Sequence, residues 1–552
     1  MVDFFHKAWF EDLTFEDLIA QHNEHRMLFP KLIFLALASI SSWNIRLELF
    51  FSWALAVFTF IALCKIADYP SNLLQKKSTG QSKDAFYSVG WAEVLSSIFV
   101  FSLVQIQNWI WGFQIAWFLI NFSVVLAILT MTLFQRTGKI FYFVIASMAC
   151  IMGSFSSAHG ILSWISASPI LLLSSRFKVR KRFFYACIWL SLFVTCTLSY
   201  LADYQRPASH PEANYVLLKP FVALDYYFNF LGGVFGNTPT PPLVLGVIVF
   251  LLAIALTIHS LRLTADQRDS YLPWLSLGIF ALLFALMTTV GRAGFGSHQA
   301  LISRYTTVTS LLLVSLAQIL RLKIVTQDNL FSRQKTRMIF TYMLSGLLFS
   351  HVLVGYKHAF ASGEHFQYSR YRGMACTKLL DYLEPSLLKE CVERDVFPSA
   401  EVVISRRAKL KEMNFNQFQE DDVINFNDVQ SGSVSYGHID TPPSQSQNFL
   451  DGENIIFSGW AHDPTCTQAC KKPKFVLLRL QDANKFFAIA DVGSVREDVA
   501  SAFNNDEYRK SGWSVIVPTD LFPEKPTKVS GYLYSPEKNE LFKLHEELEL
   551  IK

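Results

Sequence analysis

Gln21-His22-Asn23-Glu24-His25-Arg26 gathers a carboxylate, two imidazoles, a guanidinium and two amides into six residues, directly ahead of an apolar run. A carboxylate there can take a proton from a hydroxyl, with the flanking groups orienting it. Glu24 is the candidate catalytic base, and His25 and Arg26 are candidate substrate contacts. A second group follows far downstream, in Gly291-Arg292-Ala293-Gly294-Phe295-Gly296-Ser297-His298 and then Ser303-Arg304-Tyr305. Arg292, Arg304 and His298 offer positive charge to a phosphate, Tyr305 offers a further donor, and the planar fork of arginine suits a pair of phosphate oxygens. The three glycines let backbone approach a ligand closely. A third group, Gln107-Asn108-Trp109-Ile110-Trp111-Gly112-Phe113-Gln114, sets Trp109 and Trp111 among amides, a pattern that fits a sugar platform.

Each group also has a plain structural reading. The first fits a polar collar on a helix end, arginines near helix ends snorkel to headgroups, and paired tryptophans mark the aromatic belt of a membrane protein. Asp203, His210, Glu212 and Lys219 read as solvated loop charges. The histidines and acids show no metal-ligand spacing of the H-E-x-x-H kind, so no metal site is expected from them.

The elements that would carry these groups are membrane helices. Of 552 residues, 51% are hydrophobic and only 17% charged, and the mean hydropathy is +0.27. Soluble domains carry about 25% charged residues, so a purely soluble enzyme is excluded, as are a disordered chain and a disulfide-dense secreted module. A net charge of +4 fits basic cytoplasmic loops and gives no reason to expect a nucleic-acid partner.

Leu49 to Ala67, Phe113 to Phe134, Phe183 to Leu201, Pro242 to Leu261, Tyr271 to Val290 and Met338 to Tyr356 have the length and apolarity of spans. Met27 to Trp43, Phe141 to Ser157, Ile161 to Ser174 and Tyr305 to Leu320 are shorter and bounded by polar residues. Trp91 to Ile106, with Glu93 and Gln105, and Phe221 to Phe235, with Asp225 and Asn229, fit re-entrant or interfacial helices as well as spans. In 1–26, Phe5, Trp9 and Leu13 recur at every fourth residue and Thr14 with Asp17 forms a capping box, so two interfacial helices are expected.

Two basic clusters, one over Arg176 to Arg182 and one over Arg321 to Arg337, should be cytoplasmic. That places the loops carrying His210, Arg292 and Arg304 outside, together with everything after the last span. The expected organisation is interfacial helices over 1–26, a transmembrane domain over 27–357, a helical stalk and polar linker over 358–448, and an extracytoplasmic β-sandwich over 449–552. Met374 to Arg394 reads as the stalk helix. Short β-prone runs at Asn454 to Trp460, Lys474 to Leu480, Phe486 to Ala490, Trp513 to Pro518 and Lys528 to Tyr534 read as the sandwich. Cys376, Cys391, Cys466 and Cys470 allow three pairings, with the local ones, 376 to 391 and 466 to 470, expected.

Short amphipathic helices, an acidic residue in the first external loop, a series of spans and an appended β domain together resemble the GT-C superfamily of integral-membrane glycosyltransferases. The Gln21 to Arg26, Gln107 to Gln114 and Ser303 to Thr307 motifs resemble a set of bacterial polytopic membrane proteins grouped near it. One departure is that GT-C proteins open with a span before that loop, whereas this chain has no leading apolar run. Phe457 to Ala461, Val495 to Val499 and Ser511 to Trp513 resemble a β-sandwich module of bacterial surface-glycan proteins, which implies a binding or positioning role.

The resemblance implies an α-helical polytopic protein of the bacterial inner or plasma membrane, with about 10 to 11 transmembrane helices and an all-β C-terminal domain. It implies transfer of a sugar from a polyprenyl-phosphate donor to a lipid-linked or cell-surface glycan acceptor at the outer face, with Glu24 as base. A divalent cation enters only through this resemblance. The alternatives are a non-catalytic transporter or scaffold of a surface-glycan pathway, and a polysaccharide polymerase or ligase, which would use the external arginines without Glu24. A transporter should carry inverted repeats, and the sequence contains no internal repeat.

Overall fold

The computed structural model describes residues 1–77, 83–236, 240–326, 346, 350–415, 429, 436–440, 454–463, 474–523, 525–536 and 538–550. The chain forms two compact units, one of residues 12–363 and one of 1–11 with 364–552.

In the first unit, seven helices among the described residues are long and apolar enough to cross a membrane: Ile45–Asp68, Trp91–Ile110, Gly112–Thr137, Val179–Leu201, Pro241–Leu261, Ala265–Phe295 and Ser303–Lys323. Three shorter apolar helices accompany them, Leu28–Ser41, Ile140–Ser154 and Ala158–Leu172. Most of the expected span from Met338 to Tyr356 lies outside the described residues. Phe221 to Phe235 forms a 13-residue helix, Pro220–Gly232, and one 3-10 turn, too short to cross. The helices differ sharply in role. Ser303–Lys323 is 94% buried over its most apolar stretch and sits at the centre of the bundle, whereas Val179–Leu201 is only 17% buried and turns Phe183, Phe184, Leu190 and Leu198 outward.

The central helix meets the Lys83–Val100 helix through polar pairs in antiparallel register. Arg321 contacts Glu93 at 2.9 Å, Gln318 donates to Ser96 Oγ at 3.2 Å, and Thr307 donates to Gln105 Oε1 at 2.5 Å. Between the last two pairs the partner helix breaks at Phe101 and Ser102. Side chains occupy the backbone groups released there, as a bilayer demands. Ser102 Oγ accepts from Val104 N–H, Gln105 Nε2 donates to Val100 O at 2.7 Å, and Trp109 Nε1 donates to Ser102 O at 2.9 Å.

Ahead of the bundle, the capping box forms: Thr14 Oγ1 accepts from Asp17 N–H while the Asp17 carboxylate accepts from Thr14 N–H, which starts the Phe15–Ile19 helix. The polar cluster that follows is a miniature hairpin. Strand β1 (Gln21–His22) pairs with β2 (His25–Arg26), leaving Asn23 and Glu24 at the tip. Asn23 has φ +53°, a conformation that asparagine tolerates better than most residues.

In the second unit, a helix over Val2–Phe10 is held by the Ala400–Glu412 helix. Asp3 pairs with Arg406 at 2.7 Å and Lys409 at 2.9 Å, His6 with Glu412 at 2.8 Å, and Phe5 packs edge-on to Phe415. The stalk is two helices, Tyr356–Lys378 and Pro385–Asp395. Pro385 starts the second and excludes the α-conformation at Glu384, and a disulfide joins Cys376 to Cys391. The expected pair of Cys466 with Cys470 lies outside the described residues.

The five expected strands form, together with two others: β3 (Gly437–Asp440), β4 (Asn454–Ala461), β5 (Phe475–Leu480), β6 (Phe486–Ser494), β7 (Gly512–Pro518), β8 (Thr527–Ser535) and β9 (Glu540–Leu550). They build one antiparallel sheet in the order β3-β4-β7-β6-β5-β8-β9, rolled so that Tyr436, next to β3, stacks on Phe542 of β9 with ring centroids 4.6 Å apart. This is close to a barrel, not two facing sheets. The cause is β6, which pairs with β5 through Asp491 and with β7 from Val492 onward, so one bent strand joins what would otherwise be separate sheets.

Candidate active site

The hairpin tip is fixed to the end of the Val179–Leu201 helix. Arg26, which is 7% exposed, donates to Tyr200 O at 2.7 Å, to Ile19 O at 3.0 Å and to Ala202 O. Two of these carbonyls close the helix C-terminus, where an arginine is well matched to the unpaired acceptors and the dipole. Tyr200 Oη donates to Glu24 O at 2.7 Å, and Gln21 exchanges hydrogen bonds with Gln205. Arg26 is thus an anchor for the tip, with its guanidinium occupied by main-chain carbonyls.

The Glu24 carboxylate so presented is 15% exposed. Arg292 donates to its Oε1, and His25 Nε2 stands 3.5 Å from the same oxygen. His210 Nε2 lies 3.7 Å from Oε2, which is buried and accepts no hydrogen bond among the described residues. Burial by itself raises the Glu24 carboxyl, but His25 and Arg292 together outweigh it and hold the group below its usual range. Glu24 is therefore ionised at neutral pH, and its buried Oε2 has an acceptor position unfilled among the described residues. Burial pushes His25 down to about 4, so at neutral pH its ring is neutral and the Arg292 guanidinium is the charge that faces Glu24. Its Nδ1 accepts from Ala158 N–H at 3.3 Å, and that bond leaves the ring proton on Nε2, facing Glu24.

A wall of rings leads from this carboxylate to the second arginine. His25 neighbours His159 with ring centroids 6.2 Å apart, His159 neighbours Trp117 at 6.4 Å, and Trp117 meets Tyr305 edge-on at 5.6 Å. The Arg304 guanidinium lies over the Tyr305 ring, 5.4 Å from its centroid, and has no carboxylate within 4 Å among the described residues. Tyr305 is held from behind: Tyr226 donates to Gln299 Oε1, and Gln299 Nε2 donates to Tyr305 Oη at 2.8 Å. Asn108 Nδ2 donates to Arg304 O at 2.9 Å, which ties the tryptophan-bearing segment to the same corner.

The structure therefore brings Glu24, His25, Arg292, Arg304 and Tyr305 into one connected region. Trp109 packs on Phe118 with centroids 4.7 Å apart and uses its N–H within its own segment, Trp111 is 37% exposed beside Phe113, and His298 is exposed. His210, read from sequence as a solvated loop charge, stands at Glu24 instead. Trp117 and His159 carried no motif: one sits in an apolar run and the other in a short turn, and only folding sets them side by side. Among the described residues there is no group of three or more His, Cys, Asp or Glu side chains arranged to hold a metal ion.

The arrangement has a polarity. Among the described residues, an ionised carboxylate oxygen lacks a donor at one end and the Arg304 guanidinium lacks a carboxylate partner at the other. No protein-family model, curated protein or solved structure matches the chain.

Proposed function

We propose that the membrane unit is a GT-C-like glycosyltransferase that moves a sugar from a polyprenyl-phosphate donor to a lipid-linked or cell-surface glycan acceptor, with Glu24 as the base. The observation that carries this reading is the buried Glu24 carboxylate, paired with Arg292 yet with no hydrogen-bond donor on Oε2 among the described residues. An acceptor hydroxyl donating to Oε2 would be aimed by that bond and give its proton to Glu24 as its oxygen attacks the anomeric carbon. The bond from that carbon to the phosphate oxygen breaks in the same step, and its electron pair leaves on the phosphate. Arg304 is the cation available to stabilise that phosphate, because Arg292 is engaged with Glu24. The Cys376–Cys391 disulfide supports an oxidising, extracytoplasmic setting for the second unit, which we read as a module that positions glycan.

The buried polar seam from Gln105 and Thr307 to Glu93 and Arg321 favours a second reading, a transporter of the same pathway, because ionisable groups inside a membrane often mark a translocation path. One experiment separates the two. Cells lacking the gene and supplied with Glu24→Gln should produce surface glycan with the same mass profile as cells supplied with nothing, at wild-type protein level. A wild-type glycan profile from Glu24→Gln would sink the transferase reading and leave the transporter.

A further inference from the structure

Two side chains between the charged ends remain without a role. His159 stacks on Phe284 with centroids 3.9 Å apart, and Trp117 packs against the same ring at 5.4 Å, so Phe284 backs both. Each leaves one polar atom unused, and of opposite kinds. Thr288 gives its own proton to Phe284 O at 2.9 Å, so its Oγ1, 3.1 Å from His159 Nε2, accepts from that nitrogen. His159 Nδ1 is then a bare lone pair, buried and without a partner among the described residues. The indole N–H of half-buried Trp117 meets no acceptor among the described residues and is not sealed from the surroundings, unlike those of Trp274 and Trp513.

Buried polar atoms without partners are uncommon in folded proteins. Here an acceptor and a donor flank a pair of ring faces, in the wall of rings between the Glu24 carboxylate and the Arg304 guanidinium. A group lying there needs an apolar face for the rings, a donor for Nδ1 and an acceptor for the indole, and hydroxyls on a pyranose supply all three. A carboxylate on that group would oppose the Nδ1 lone pair and sit beside Glu24.

We propose that Trp117 and His159 form the seat of the transferred sugar and select a neutral hexosyl group over a uronic acid. The proposal rests on the transferase reading and adds what the donor carries. To test it, the purified full-length chain in nanodiscs is titrated with farnesyl phosphate and with its glucosyl, mannosyl, galactosyl and glucuronosyl esters. At least one neutral ester should bind ten times more tightly than farnesyl phosphate, while the glucuronosyl ester should show no gain. Trp117→Ala should abolish the gain and leave farnesyl phosphate binding unchanged, which also reports an intact fold, and Trp117→Phe should keep most of it. A gain that survives Trp117→Ala, or one that is largest for the glucuronosyl ester, overturns the sugar seat; binding of farnesyl phosphate that is lost in Arg304→Ala would leave the transferase reading standing. If none of the five compounds binds the wild-type chain, both fail.

Discussion

Arg292 donates a hydrogen bond to Glu24 Oε1 across 268 positions of sequence. A polar tip from the chain's first thirty residues and the end of the Ala265–Arg292 helix thus meet on one side of the bundle. Whatever the handedness of the protein in its membrane, these two residues share a face.

That contact makes topology a sharp measurement. His22 is exposed on β1 and is a better labelling site than Asn23, whose φ of +53° suits few other residues. With every cysteine replaced except Cys376 and Cys391, His22→Cys and Arg206→Cys should both react with an impermeant maleimide in intact cells. Labelling that appears only after the cells are opened would put Glu24 and Arg292 together on the cytoplasmic side and remove any extracytoplasmic acceptor.

Stability in detergent should fall as the medium is acidified. The His25 folded-state value is depressed from 6.5 to about 4 by burial, so between those values the unfolded chain binds a proton that the folded chain does not. The contribution is present above pH 6.5, is lost on the way down, and amounts to about 3 kcal/mol at ~1.4 kcal/mol per pH unit. His210 is also lowered, chiefly by burial, and pushes the same way. The Glu24 value is itself depressed, so its contribution is lost only below the ordinary carboxylate range. Thermal unfolding from pH 7 to 5 should therefore show a shallower loss for His25→Gln than for wild type. Equal slopes would mean that His25 is charged or exposed in the folded protein.

Close packing at Gly112 invites a double-mutant test. A methyl group there would collide with the buried Glu48 carboxylate, whose Cβ it would approach to 3.0 Å and whose Oε1 accepts from Trp43 Nε1 at 3.0 Å. Gly112→Ala should cost about 1–3 kcal/mol, the usual range for overpacking, and Glu48→Ala in the same chain should recover much of it. Additive losses in the double variant would show that the two sites do not touch.

Reduction should weaken the second unit selectively. The Cys376–Cys391 disulfide bridges a sequence separation of 15 and ties the two stalk helices, and a loop of that size is worth about 3 kcal/mol on the chain-entropy account. Replacing both cysteines with serine, or adding dithiothreitol, should lower the melting temperature of that unit. No change in either condition would argue that the stalk is held by packing alone.

What the sequence determined by itself is whatever depends on local composition and period. Runs of about twenty apolar residues announce membrane helices because the hydrocarbon core sets their length. The Thr14 and Asp17 box follows from spacing alone, and the five strands follow from short β-prone runs separated by turn residues. β9 escaped notice because Glu540 to Leu550 is rich in glutamate and leucine, which strands do not favour, and it is the register with β8 that makes it a strand. Glu24, Arg292 and Arg304 were legible as residue types able to act on a phosphate-linked sugar.

Only the tertiary structure decided which of them meet. It turned Arg26 inward to close a helix end, set Arg292 on Glu24 so that Arg304 is the one of the two arginines left without a counter-ion among the described residues, and moved His210 out of the crowd of loop charges. It also placed Trp117 beside His159, two residues that no motif marks. Ion pairs and ring stacks between segments more than a hundred residues apart form where helix packing brings side chains within a few ångströms, and the period of a single segment carries no record of its neighbours.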